Sequence, residues 1–273
     1  MTLSIITINY NNAAGLEKTI KSVISQTCKR YEFIIIDGGS KDGSKDIIER
    51  HQDQITYWVS EPDNGIYNAM NKGVKVAKGE YCIFMNSGDI FYTNNVIDEF
   101  FEKANNEKDI IEGNCYLQGR VMKLPESISG IFLFKNALCH QAAFIRTSLL
   151  KTDPYLEDYK IASDWIFFFN TLILKNRTYQ HIDLIVCDFD CTGISATNKD
   201  LGYIERKQWL QKAIPQRIYD DYNLLSKYED TKLPKLLSLE LSGIGEGTSF
   251  EKIVVLFVRL LKQIHKLKRI FQT

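Results

Sequence analysis

The chain has 273 residues, 44% hydrophobic and 25% charged, a composition that suits a water-soluble protein with a substantial core. Its 34 basic side chains are balanced by 34 acidic ones, which argues against a nucleic-acid binder, since such proteins carry a basic excess. Six scattered cysteines with no CxxC pair argue against a zinc site or a disulfide framework, and no apolar run approaches the ~20 residues of a membrane span.

The N-terminal MTLSIITINYNN has neither the basic start nor the apolar length of a signal peptide, so a cytoplasmic protein with free thiols is expected. In chain order, LSIITIN (3–9) reads as a strand and AAGLEKTIKSVISQ as a helix with Leu16, Ile20, Val23 and Ile24 on one stripe. EFIIID (32–37) is a β-branched run suited to a strand covered on both faces. SKDIIERH then reads as helix, ITYWVS as strand, GIYNAMNKGVKVAKG as helix and YCIFMN as strand. This alternation predicts an α/β fold with a mostly parallel sheet of right-handed crossovers flanked by helices. Beyond residue 105 the pattern loosens, with strands expected near 109–117, 120–124 and 142–146, a helix across 163–175 and a strand at HIDLIVCDF. From 198 the chain reads as helical, broken at Pro215 and Pro234. The expected division is a domain at 1–197, made of halves 1–105 and 106–197, followed by a helical extension at 198–273.

Ligands of such sheets bind beyond the carboxyl ends of the strands. Polar clusters stand at four of them: Asn9-Tyr10-Asn11-Asn12, Asp37-Gly38-Gly39-Ser40, Glu61-Pro62-Asp63-Asn64 and Asn86-Ser87-Gly88-Asp89. Asp37 could accept a hydrogen bond from a ligand or cap its own turn, and the glycines after it let backbone approach closely. The stretch is neither a GxGxxG fingerprint nor a P-loop, which lowers nicotinamide cofactors and ATP hydrolysis. The helix after Asp63 could offer its first N–H groups to phosphate, or could simply be a capped surface helix.

These segments, together with HQAAFIR and ASDWIFFF in the same order, resemble a family 2 glycosyltransferase of the GT-A fold over residues 2 to 195. The likeness is to bacterial members that build capsule, exopolysaccharide or lipopolysaccharide O-chains. It implies a UDP-sugar donor, with Tyr10 against the base, Asp37 at its edge, and Thr7 and Asn9 nearby. Asp63, Asn68 and Lys72 would reach ribose or phosphate, and His140 with Gln141 would lie by the donor sugar and diphosphate. The fourth strand end would bind Mn²⁺ or Mg²⁺. There the chain departs from the common Asp-x-Asp-Asp form: only Asp89 keeps a carboxylate for the metal and Asn86 offers an amide oxygen, while Asn86 and Ser87 would also lie against the donor. Diphosphate and water could complete the shell of a hard cation. Asp164, at the start of an apolar helix, would be the general base of an inverting transfer; its bland alternative is a residue favoured by the helix dipole. Asp188 and Asp190 are alternative acids or turn residues.

The segment 251–271 carries apolar residues at Phe257, Leu260, Ile264, Leu267 and Phe271 with only basic charges after Glu251. It could lie on the inner leaflet of a membrane, on its own domain, or on a second subunit of a homodimer. The expected activity is transfer to a hydroxyl of a glycan or lipid-linked acceptor in cell-surface polysaccharide biosynthesis. The competing reading is a catalytically silent domain that only binds, for which the depleted carboxylates speak. A sugar nucleotidyltransferase is disfavoured because its Gly-rich N-terminal signature is absent.

Overall fold

The computed structural model describes residues 2–191, 193, 198–229, 257, 259 and 260. Most of the basic 251–271 segment therefore lies outside the described residues. The chain forms two compact units, Met1–Pro215 and Gln216–Thr273.

The first unit opens with β1 (Leu3–Asn9), α1 (Ala13–Ile24), β2 (Tyr31–Asp37), α2 (Ser44–Arg50), β3 (Tyr57–Ser60), α3 (Ile66–Val76) and β4 (Tyr81–Phe84). It continues with β5 (Ile90–Phe91), α4 (Val96–Lys103), β6 (Ile110–Leu117), β7 (Arg120–Met122) and α5 (Gly130–Lys135). Then follow β8 (Ala143–Arg146), α6 (Thr147–Thr152), α7 (Ser163–Phe168), wider π-type turns over Phe169–Leu174, β9 (Tyr179–Asp188) and α8 (Lys199–Ala213). Helix α8 thus lies in the first unit, past the boundary expected at 197/198. In the second unit the described helix is α9 (Gln216–Glu229), beyond the break at Pro215.

All the described strands join one sheet in the order β3-β2-β1-β4-β8-β6-β9-β5, with β7 paired to β6. Strands β1 to β4 are mutually parallel, as their alternation with helices predicts. The other half is mixed, because β8 runs antiparallel to both β4 and β6 while β9 is parallel to β6. Elements β5, α4, α5 and α6 go beyond those expected from sequence.

The β-branched runs are covered on both faces. On one, Leu3, Ile5, Phe33 and Ile35 cluster with Leu16, Ile20 and Val23 of α1. On the other, α3 comes so close that a Cβ on Gly73 would stand 2.5 Å from Ile6 Cγ2. Glycine at 73 is the condition for that approach. Register then sets the polar row: Asn9 of β1 pairs with Asp37 of β2, and Asp37 with Ser60 of β3.

A Gly73→Ala change should destabilise the protein by about 1–3 kcal/mol through overpacking against Ile6. Thermal and denaturant unfolding would read this, and an unchanged midpoint would mean that α3 does not depend on the contact.

Candidate active site

A cleft of about 790 Å³ opens at the carboxyl ends of β1 to β4. Of the residues singled out from sequence, it brings together Asn9, Tyr10, Asp63, Asn86, Ser87, Asp89, His140, Gln141 and Asp164 on its walls. Thr7, Asp37, Asn68 and Lys72 are elsewhere. Thr7 is fully buried and donates to Met85 O at 2.7 Å. Asn68 donates to Glu157 at 2.8 Å, and Lys72 pairs with Glu61 at 2.7 Å. Each of these three is committed to a neighbour rather than presented to the cleft.

Asp37 lies beneath the cleft, fully buried. Its Oδ1 accepts from Asn9 Nδ2 at 2.7 Å and Ser40 Oγ at 2.6 Å, and its Oδ2 from Ser60 Oγ at 2.6 Å and Ser40 N at 3.0 Å. Burial alone would raise its pKa, but these donors outweigh it and hold the carboxyl below its ordinary value. Above this braced floor Tyr10 is 67% exposed, a free aromatic face at the cleft. Asp63 Oδ1 takes the N–H of Gly65 at 2.8 Å, and Asn68 Oδ1 takes that of Asn64 at 3.2 Å, so two amides leading into α3 are already satisfied.

The loop Asn86–Asp89 is held by Thr19 of α1. Its Oγ1 accepts from Gly88 N at 3.0 Å and donates to Asp89 O at 2.7 Å. Gly88 has φ +111°, a conformation in which any residue with a Cβ would be strained, and a Cβ there would also displace the Asp190 carboxylate 2.4 Å away. Asp89 is 3% exposed; its Oδ1 accepts from Asp190 N at 2.9 Å and its Oδ2 from Gln141 Nε2 at 3.1 Å. Burial exceeds what these two donors and His140 return, and the carboxyl is pushed up to about 6. Asn86 Oδ1 is buried without a hydrogen-bond partner. An orphaned amide oxygen beside an under-neutralised carboxylate suits a hard divalent cation. Among the described residues no group of three or more His, Cys, Asp or Glu could hold such an ion alone. The fit is that of a partial shell, which phosphate oxygens would complete.

Asp164 is in the first turn of α7. Its Oδ2 lies 2.8 Å from His140 Nδ1, and its Oδ1 accepts from Tyr67 O–H at 2.9 Å and Trp165 N at 2.8 Å. Asn86 Nδ2 lies 3.1 Å from His140 Nε2, so the ring is held between Asn86 and Asp164. Burial pushes the Asp164 pKa up, yet His140, Trp165 and Tyr67 outweigh it and the net shift is downward. Tyr67 in turn is held well above its ordinary value by burial and by the carboxylate beside it. The approach to α7 is fixed from α8: Glu205 accepts the N–H groups of Lys160, Ile161 and Ala162 at 2.8, 2.9 and 2.9 Å. Tyr67 and Glu205 escaped the sequence reading. Tyr67 sits among apolar helix positions, and Glu205 is 43 residues from Ala162, with no local pattern linking them.

Asp190 joins the cleft wall with Phe189, whereas Asp188 pairs in β9 with Ile90 of β5. All six cysteines are free. Among the described residues no helix is long and apolar enough to cross a membrane.

A mixed sheet whose parallel half ends in such a cleft is the architecture of GT-A sugar-transferring enzymes, and solved structures show the same fold. TarS residues 1–349 from S. aureus, in complex with UDP-GlcNAc, align with TM-score 0.61 and 17% identity over 81% of this chain and 70% of that one. Of the longer TarS chain this protein spans 42%. Mannosyltransferase PcManGT from Pyrobaculum calidifontis, in complex with GDP-Man and Mn²⁺, aligns with TM-score 0.59 and 14% identity over 98% of this chain and 82% of that one. Residues 4–173 match Glycosyl transferase family 2, and the chain belongs to that family. An uncharacterized glycosyltransferase of Mycobacterium tuberculosis is 33% identical over 204 residues, covering 71% of this chain and 77% of the relative.

Replacing Glu205 by Ala strands three backbone N–H groups and should cost at least about 2 kcal/mol of stability. Sugar transfer should fall further than the loss of folded protein explains, because the turn carrying Asp164 loses its anchor. Unfolding curves and turnover per folded molecule test this, and a wild-type turnover would remove Glu205 from the positioning of the site.

Proposed function

We propose that the protein is an inverting glycosyltransferase that moves a sugar from a nucleoside-diphosphate donor, a UDP-sugar in the simplest case, to a hydroxyl of a glycan or lipid-linked acceptor. The observation that carries this reading is one cleft holding both the Asn86–Asp89 oxygens and the Asp164 carboxylate, which His140, Tyr67 and Trp165 N–H hold in place. The solved neighbours with UDP-GlcNAc and with GDP-Man and Mn²⁺ support a nucleotide-sugar donor and a divalent cation.

In this reading Tyr10 and the braced Asn9–Asp37 floor receive the base, and Asp63 with the start of α3 faces ribose or phosphate. The acceptor oxygen forms a bond to the anomeric carbon as the bond from that carbon to the diphosphate oxygen breaks. The leaving diphosphate takes the bonding pair, and the acceptor proton passes to an Asp164 oxygen. One displacement inverts the anomeric configuration. His140 and Tyr67 keep the carboxylate aimed and ionised until it accepts the proton. Asn86 and Asp89 would hold the divalent cation, whose charge, when bound, offsets that of the diphosphate.

Calorimetric titration of UDP with and without Mn²⁺ tests the donor site. Wild-type protein should bind UDP more tightly with Mn²⁺, and Asp89→Ala should abolish that gain, a loss of about tenfold or more in affinity. Binding indifferent to both Mn²⁺ and Asp89 would contradict the cation site. Absence of UDP binding would contradict the UDP assignment.

A further inference from the structure

Behind the donor cleft lies a second cavity of about 350 Å³ that shares Asp164 with it. Its wall is largely apolar, with Leu117, Met122, Leu138 and Phe189, and it contains one guanidinium, that of Arg206 on α8. Arg206 Nε is buried and has no hydrogen-bond partner. The guanidinium lies over the Trp165 ring, 5.2 Å from its centroid, and among the described residues it makes no ion pair or hydrogen bond. Trp165 is itself fixed, donating its indole N–H to Leu133 O at 2.8 Å and Asn136 O at 3.0 Å.

A guanidinium remains charged at any working pH, and the Asp164 carboxylate in the same cavity attracts it from beyond ion-pair distance, so its N–H groups stay unpaired at a cost. Structural arginines in such places are ordinarily neutralised by a carboxylate, as Arg146 is by Glu80 in this chain at 3.1 Å. Arg206 has a ring beneath it and an open cavity before it. The planar fork suits phosphate or carboxylate, which it can engage through two N–H groups at once.

We propose that this second cavity binds the acceptor and selects one that carries an anionic group, phosphate or carboxylate, through Arg206. This rests on the transferase reading above and deepens it. The anion would sit on Arg206, the apolar part of the acceptor on Leu117, Met122 and Leu138, and the reacting hydroxyl would point at Asp164, where the two cavities meet. Glu205 and Arg206, adjacent on α8, would then divide two tasks: one anchors the turn that carries the base, the other reads the acceptor.

The test uses phenyl phosphate, benzoate and neutral benzyl alcohol, each titrated into full-length protein saturated with UDP and Mn²⁺ so that the donor site is filled. Phenyl phosphate or benzoate should bind saturably and benzyl alcohol should not; which anion binds tighter distinguishes a phosphate-bearing from a carboxylate-bearing acceptor. Arg206→Gln should weaken the anion by about tenfold or more, Arg206→Lys by less, with UDP affinity the same in all three proteins. Equal binding of benzyl alcohol, unchanged anion affinity in Arg206→Gln, or a matching loss of UDP affinity would each overturn the proposal. Should Arg206→Gln not fold, Arg206→Lys and the neutral probe decide. If wild-type protein binds no UDP, the donor reading fails separately, and phenyl phosphate titrated without nucleotide still shows whether Arg206 takes an anion.

Discussion

A carboxylate withdrawn from water keeps its charge only if hydrogen-bond donors replace the lost hydration, and the site is organised by how many donors two buried aspartates and the half-buried Asp164 receive. Asp37 is met by Asn9, Ser60 and both the hydroxyl and N–H of Ser40, and its pKa lies below the ordinary value. Asp164 is met by His140, Tyr67 and Trp165 N–H, and it too is lowered. Asp89 receives only Gln141 and Asp190 N–H, and it is pushed up to about 6. The first is a structural brace, and the second keeps its charge. The third is short of positive charge, as a carboxylate awaiting a cation would be.

The sheet supplies those donors by direction and register. Pairing of Asn9 with Asp37 and of Asp37 with Ser60 puts three polar strand ends in one row. The antiparallel course of β8 matters as much. Since Tyr81 faces Arg146 and Cys82 faces Ile145, the chain entering β8 lies beside the chain leaving β4. His140 and Gln141 thereby reach Asn86, Asp89 and Asp164. A parallel strand would have carried them to the opposite edge of the sheet. Helix α8 completes the site from outside the sheet, with Glu205 holding the turn before α7.

Much of this was legible because strand-ending Asp, Asn and Gly stand out against apolar runs, and periodicity located β1 to β4 and their helices. The parallel half and the cleft follow from that pattern. Residue types alone could not tell which polar groups face the cleft. Asn68 and Lys72 look like ligand contacts on a helix, yet Glu157 and Glu61 claim them. Asp37 reads equally as a ligand contact or as a cap of its own turn, and register places it beneath the surface, where it caps the turn at Ser40. Short elements such as β5, α5 and α6 have too few residues to show a period. The partnerships Tyr67–Asp164 and Glu205–Ala162 span 97 and 43 residues, and only the folded chain joins them.

The central claim is that Asp164 is the base of a working transferase, and slow UDP release from UDP-GlcNAc and other UDP-sugars, with water as acceptor, tests it most directly. Wild-type protein should release UDP from one of them. Asp164→Asn should lower that rate by about a hundredfold or more while still binding UDP. A wild-type protein that binds UDP yet releases none from any UDP-sugar, or an Asp164→Asn variant that releases it undiminished, would contradict the claim.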